Sequence, residues 1–107
     1  MTQTIISPKQ SNPSAATLTE IYDCPDATSF VGRLNICNRS SVATFFRVSI
    51  EIDNAGTSNE QFLAYDTPIE GNGVVSIDGI TMTADDRLNV YATLATLSFS
   101  LMGVENT

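Results

Sequence analysis

Residues 44–52 read Thr-Phe-Phe-Arg-Val-Ser-Ile-Glu-Ile, and their alternation decides the fold. Phe46, Val48, Ile50 and Ile52 fall on one side of an extended chain, with Phe45, Arg47, Ser49 and Glu51 on the other. A two-residue period held over this length marks a strand with one face buried and one facing out, the habit of antiparallel sheets. The stretch 87–92, RLNVYA, repeats it, with Leu88, Val90 and Ala92 inward and Arg87, Asn89 and Tyr91 outward.

Outward from this stretch the chain alternates strand and turn. Thr17–Tyr22 is a first strand, closed by Asp23, Pro25 and Asp26, and Ser29–Asn38 is a second, with Phe30, Leu34 and Ile36 on its core face. These two are expected to form a hairpin, with Gly32 marking a bulge. A loop at 53–59 leads to a short strand at Gln61–Tyr65, and Thr67–Pro68 and 71–73 punctuate the next connection. Val74–Ile77 and Ile80–Thr83 read as strands around an Asp78–Gly79 hairpin turn. Thr96–Leu101 is the last strand, with Leu97, Phe99 and Leu101 inward. Phe46, Val48, Ile50, Leu88, Val90 and Phe99 are the expected core. About eight short strands at spacings of roughly 8–12 residues, with no helical period between them, predict an antiparallel β-sandwich. Immunoglobulin-like and jelly-roll topologies both satisfy this pattern.

Residues 1–14 read as an extended N-terminal arm preceding a single domain at 15–107. Pro8 and Pro13 exclude a helix there, and little is apolar besides Ile5 and Ile6. The segment is either a tail or an arm that orders on a neighbouring subunit with these two isoleucines as anchor.

Composition narrows the function. Histidine is absent, which removes the usual general base near neutral pH and the commonest metal ligand. The carboxylates Glu20, Asp66, Glu70, Asp78, Asp85 and Asp86 fall at turns or strand ends, where solvation is the ordinary role. Asp53 with Asn54, or Asp85 with Asp86, offers loop oxygens for calcium, but no spacing resembles a calcium-binding loop. No cofactor and no catalytic activity are expected. Cys24 and Cys37 would sit at opposite ends of the first hairpin, too far apart for a disulfide, with Cys37 buried and Cys24 the more exposed. The net charge of −7, from 12 acidic against 5 scattered basic residues, provides none of the clustered cations that bind nucleic acid. No apolar run reaches membrane-spanning length and no basic-then-apolar leader opens the chain, so assembly in a cytoplasm is expected.

Four segments carry a resemblance. CNRSSVATFFRVSI (37–50), FLAYDTPI (62–69), GITMTADDRLNVYAT (79–93) and LSFSLMGVE (97–105) resemble small virion proteins of tailed bacteriophages. There, segments of the form N-R-S…F-R-V, Y-L-A-Y-D-x-P-I, G-I-T-x…D-x-L-x-V-Y-A and S-F-S-L-x-G follow in the same order. The similarity spans residues 17–105, and departs from the group at DCPDAT (23–28), where an apolar residue usually precedes the proline. It implies a structural protein of the virion, assembled in the host bacterial cytoplasm, with no catalytic residues to carry over. The leading expectation is a capsid decoration or cement protein that bridges subunits of the major capsid protein as a homo-oligomer, with a trimer favoured. A neck, tail, baseplate or fibre-adaptor component is the alternative, and a carbohydrate- or receptor-binding module a more distant one. Ile5, Ile6, Phe45, Tyr65 and Tyr91 are the candidate partner contacts.

Overall fold

The computed structural model describes residues 2–107, without the side chain of Asn54. Among them are nine strands: β1 Gln3–Ile5, β2 Lys9–Ser11, β3 Thr19–Asp23, β4 Ser29–Asn38, β5 Thr44–Glu51, β6 Phe62–Ile69, β7 Val74–Thr83, β8 Arg87–Ala92 and β9 Leu97–Asn106. Short 3-10 turns at Ile52–Asn54 and Asn59–Gln61 fill the loop between β5 and β6. One sheet runs β1/β2–β9–β4–β7 and the other β3–β8–β5–β6, with every pairing antiparallel. Taking β2 to β9 as eight consecutive strands, the chain passes back and forth between the sheets in the strand order of a jelly roll. The inner faces meet in one core, with Phe30, Leu34, Ile36, Met82, Phe99 and Leu101 from one sheet against Phe46, Val48, Leu88 and Val90 from the other.

The sandwich and the inward set at 46, 48 and 50 follow the alternation seen in the sequence. Ile52 departs from it. The strand ends at Glu51, the chain turns, and Ile52 is 50% exposed.

The connections depart further. β3 and β4 lie in different sheets, so the hairpin expected between residues 17 and 38 is an arch over the core. Turn-forming residues such as Pro25 and Asp26 serve an arch as well as a hairpin, and nothing local distinguishes the two. The arch also reverses the expected burial of the thiols: Cys24 is 1% exposed, whereas Cys37 is half-buried on the outer face of β4; both are free. Asp78–Gly79 is likewise not a hairpin turn. Gly32 pairs with Ile80 and Leu34 with Ile77, leaving Asp78 and Gly79 together opposite Arg33 as a bulge within one continuous β7. Gly79 supplies the positive φ of 74° that the bulge needs. Likewise Thr67–Pro68 lies inside β6, where proline is tolerated because β6 is an edge strand.

The N-terminal segment is not a projecting arm. Its two strands pair with β9, Gln3 to Ile5 opposite Asn106 to Val104 and Lys9 to Ser11 opposite Leu101 to Phe99. Thr2 and Thr107 exchange both backbone hydrogen bonds at 2.9 Å. Without this segment, β9 would present a long row of unpaired N–H and C=O groups, the liability of any open edge.

Candidate functional site

The outer face of the β3–β8–β5–β6 sheet carries a chain of planar side chains across three strands. Phe62 and Tyr65 of β6 meet edge to face at 4.9 Å. The Arg47 guanidinium of β5 lies 4.2 Å from the Tyr65 ring centre and 4.6 Å from that of Tyr91 on β8. Asp66 fixes the guanidinium from the side, its two carboxylate oxygens accepting from Nε at 2.7 Å and Nη2 at 3.3 Å.

A bulge makes this arrangement possible. In a regular strand Tyr65 and Asp66 would project to opposite faces. Here Phe46 pairs with Thr67 and Val48 with Ala64, so Arg47 stands opposite both residues. Asp66 takes a left-handed φ of 48°, which aspartate tolerates better than most residues, and brings its carboxylate round beside the ring. The guanidinium therefore receives a ring on each side and a carboxylate at its edge, and the hydrogen bond to Asp66 is the chief reason its pKa rises.

Beside the cluster, Phe45, Arg47, Asp66 and Thr93 line a shallow depression of about 320 Å³. Phe45 is 49% exposed and Tyr65 56%, and Pro68 stands opposite Phe45 in the ladder. Three of the contact residues expected from sequence, Phe45, Tyr65 and Tyr91, thus share one sheet face. The other two do not join them. Ile5 is 86% exposed on β1 at the edge of the opposite sheet, and Ile6 packs against the core of its own chain. Arg47 and Phe62 are not among the contacts expected from sequence, and Asp66 enters there only as a solvated carboxylate; the one available signal is the outward register that Arg47 shares with Phe45 on one strand.

The carboxylates considered for chemistry are dispersed. Glu20 pairs with Arg87, Asp66 with Arg47 and Asp78 with Arg33, on different strands. Asp86 is buried and accepts from the backbone N–H groups of Asp53 and Thr83, both at 2.9 Å, tying two loops together. Its oxygens serve the fold. Among the described residues no group of three or more Cys, Asp and Glu is placed to hold a metal ion, and no helix is long and apolar enough to cross a membrane.

One buried titratable cluster lies at the edge of the core. The Tyr22 hydroxyl donates to a Glu105 carboxylate oxygen at 2.5 Å, and the Cys24 thiol donates to the Thr28 carbonyl at 3.4 Å. Burial pushes the Tyr22 phenol well above its ordinary value of 10, reinforced by the bond to Glu105, and burial also raises the Cys24 thiol above 9. Both groups hold a proton in the fold that the unfolded chain releases first. Their contribution is therefore complete below pH 9 and is lost as pH rises, the thiol first and the phenol above pH 10, at about 1.4 kcal/mol per pH unit for each ionising group. Urea unfolding between pH 8 and 11 should show stability falling steeply, and Tyr22→Phe should flatten the part above pH 10. An unchanged slope in that variant would place the titration elsewhere.

Compared with known proteins, the chain matches no family model and no curated protein.

Proposed function

We propose that the protein works by binding and not by catalysis, as a structural component of a tailed-phage particle, foremost as a decoration protein that bridges capsid subunits. The observation that carries the binding role is the Phe62–Tyr65–Arg47–Tyr91 chain with exposed Phe45 alongside. Tyrosine and arginine are prominent among the residues that anchor protein interfaces: tyrosine brings large area with little rotamer freedom to lose, and arginine a planar, multiply donating head on a flexible stem. Here the arginine is already locked by Asp66, so docking on it costs little further ordering. The phage setting rests on the ordered sequence resemblance over residues 17–105. With a net charge of −7, and four of five basic residues engaged in ion pairs or hydrogen bonds within the chain, the face suits a neutral or basic protein surface.

Copy number per virion tests the placement. Hundreds of copies indicate the head; a handful to a few tens indicate the neck, tail, baseplate or a fibre adaptor. The contact face is tested by Phe45→Ala with Tyr65→Ala. Both side chains are half-exposed, so the double variant should stay folded, its melting temperature lowered by less than about 10 °C, while affinity for the particle should fall about 30-fold, the value of one interface anchor of about 2 kcal/mol. Full loading of a normally folded double variant would remove this face from the interface.

A glycan-binding reading draws on the depression beside Phe45 and Arg47, since lectins also use jelly rolls. It requires the double variant to lose carbohydrate retention and keep particle loading.

A further inference from the structure

We infer that the N-terminal strand pair is exchangeable, so that residues 2–14 of one copy can complete the β9 edge of a second copy of this chain. Three features point to this occupant. The first is how the segment is held. Every side chain of β1 and β2 is exposed except half-buried Ser11, and only Ile6 and Pro13 nearby are removed from solvent. The attachment is mostly backbone pairing with β9, through the two ladders and the Thr2–Thr107 pair. Main-chain ladders do not distinguish a chain's own strand from an identical one offered by a neighbour, so exchange costs no contact.

The second is the hinge. Ser14 to Leu18 are all exposed as the chain passes from one sheet to the other. Within them Ala16 adopts a left-handed φ of 53°, a conformation that alanine avoids, with its N–H donating to the Ala92 carbonyl at 2.8 Å. The fold-back is thus strained at a point where an extended, exchanged path would not be.

The third is the break between the strands. Pro8 has no N–H to donate, and Ile6 reaches the Gly103 carbonyl only at 3.5 Å. The segment is therefore two weak ladders in series, which can open stepwise. Neighbouring copies held close on a surface would favour exchange through their high effective concentration, but the property belongs to the isolated chain and does not depend on where the protein is used.

The test uses the register. Gln10 and Ser100 are paired across the ladder on the outer face, so cysteines at both positions are within bridging distance whichever chain supplies them. Cys37 is replaced by Ser, because it stands near this position on the same face. Deleting Ala15 and Ala16 shortens the hinge by roughly 7 Å, so the arm no longer reaches its own β9. The shortened Gln10→Cys, Ser100→Cys protein should be oligomeric by light scattering, with disulfides joining different chains. The full-length double variant should cross-link within the chain when dilute, and between chains in a fraction that rises with concentration. A second arrangement remains decisive if the deletion fails to fold. Full-length chains carrying only Gln10→Cys are mixed with chains carrying only Ser100→Cys. Their mixed disulfide should form at least tenfold faster than in a control in which Thr81→Cys on β7 replaces Ser100→Cys. A shortened protein that stays folded and monomeric, or a mixed yield no higher than the control, would overturn the inference.

Discussion

Gly32→Ala is expected to leave the chain largely unfolded at room temperature. Gly32 of β4 pairs with Gly103 of β9, and both lie on the core side of their sheet with the Phe30 ring packed under them. A Cβ on Gly32 would run into the Met102 carbonyl oxygen, would stand 2.7 Å from the tip of the Phe30 ring and 2.9 Å from the Gly103 Cα. A Cβ on Gly103 meets the reciprocal set: the Val31 carbonyl, the Gly32 Cα and the same ring. Most of these obstacles are backbone atoms of two central strands. They move only if the strands separate, which breaks the ladder joining β4 to β9. The expected loss is on the order of 4 kcal/mol or more, beyond ordinary overpacking and a large share of the roughly 5–15 kcal/mol that holds such a domain together.

Two further variants identify the cause. Gly79→Ala adds a methyl with open space around it but at a φ of 74°, so it should cost only the left-handed strain of about 1–2 kcal/mol. Phe30→Leu added to Gly32→Ala should not restore folding, because the carbonyl remains. Recovery in that double variant, measured by urea unfolding, would show that the ring and not the backbone excludes the methyl.

The sequence announces what depends on alternation and conceals what depends on pairing. The inward sets of β4, β5, β8 and β9 are visible because burial of one face imposes a two-residue period on each strand by itself. Which strand lies beside which is not a local property. Pro25–Asp26 spans an arch and Asp78–Gly79 a bulge with the same residues that build hairpins, so neither the burial of the two thiols nor the continuity of β7 is legible locally. The same limit governs the candidate site. Phe45, Tyr65 and Tyr91 are recognisable singly as outward aromatics, but the Arg47 clamp exists only because a bulge in β6 turns Asp66 onto the face of its neighbour Tyr65. The N-terminal strands carry no signal of their own, since their partner is the far end of the chain and their side chains are nearly all in solvent.

Phe46→Ala is expected to remove about 3–5 kcal/mol, the usual cost of truncating a buried phenylalanine, while Phe45→Ala one residue earlier costs under about 1 kcal/mol. The pair separates burial from most other properties of the strand, because both residues lie in β5 and pair with β6, while on the other side Phe46 pairs with Ala92 of β8 and the Phe45 carbonyl accepts from Thr93 just beyond it. Phe46 pairs with Thr67 and Ala92 and is 1% exposed within the core, where its ring packs between the sheets. Its removal leaves a cavity between two hydrogen-bonded sheets that relax only partly, so the cavity cost adds to the lost transfer energy. Phe45 faces solvent, so the same truncation opens no cavity. Urea unfolding should therefore show Phe46→Ala lowering the midpoint sharply at unchanged slope, with Phe45→Ala near the parent protein. In a marginal domain the Phe46 variant approaches complete unfolding without denaturant. Equal losses for the two variants, or a larger one for Phe45, would mean that β5 is out of register by one residue and that Arg47, in turn, points into the core.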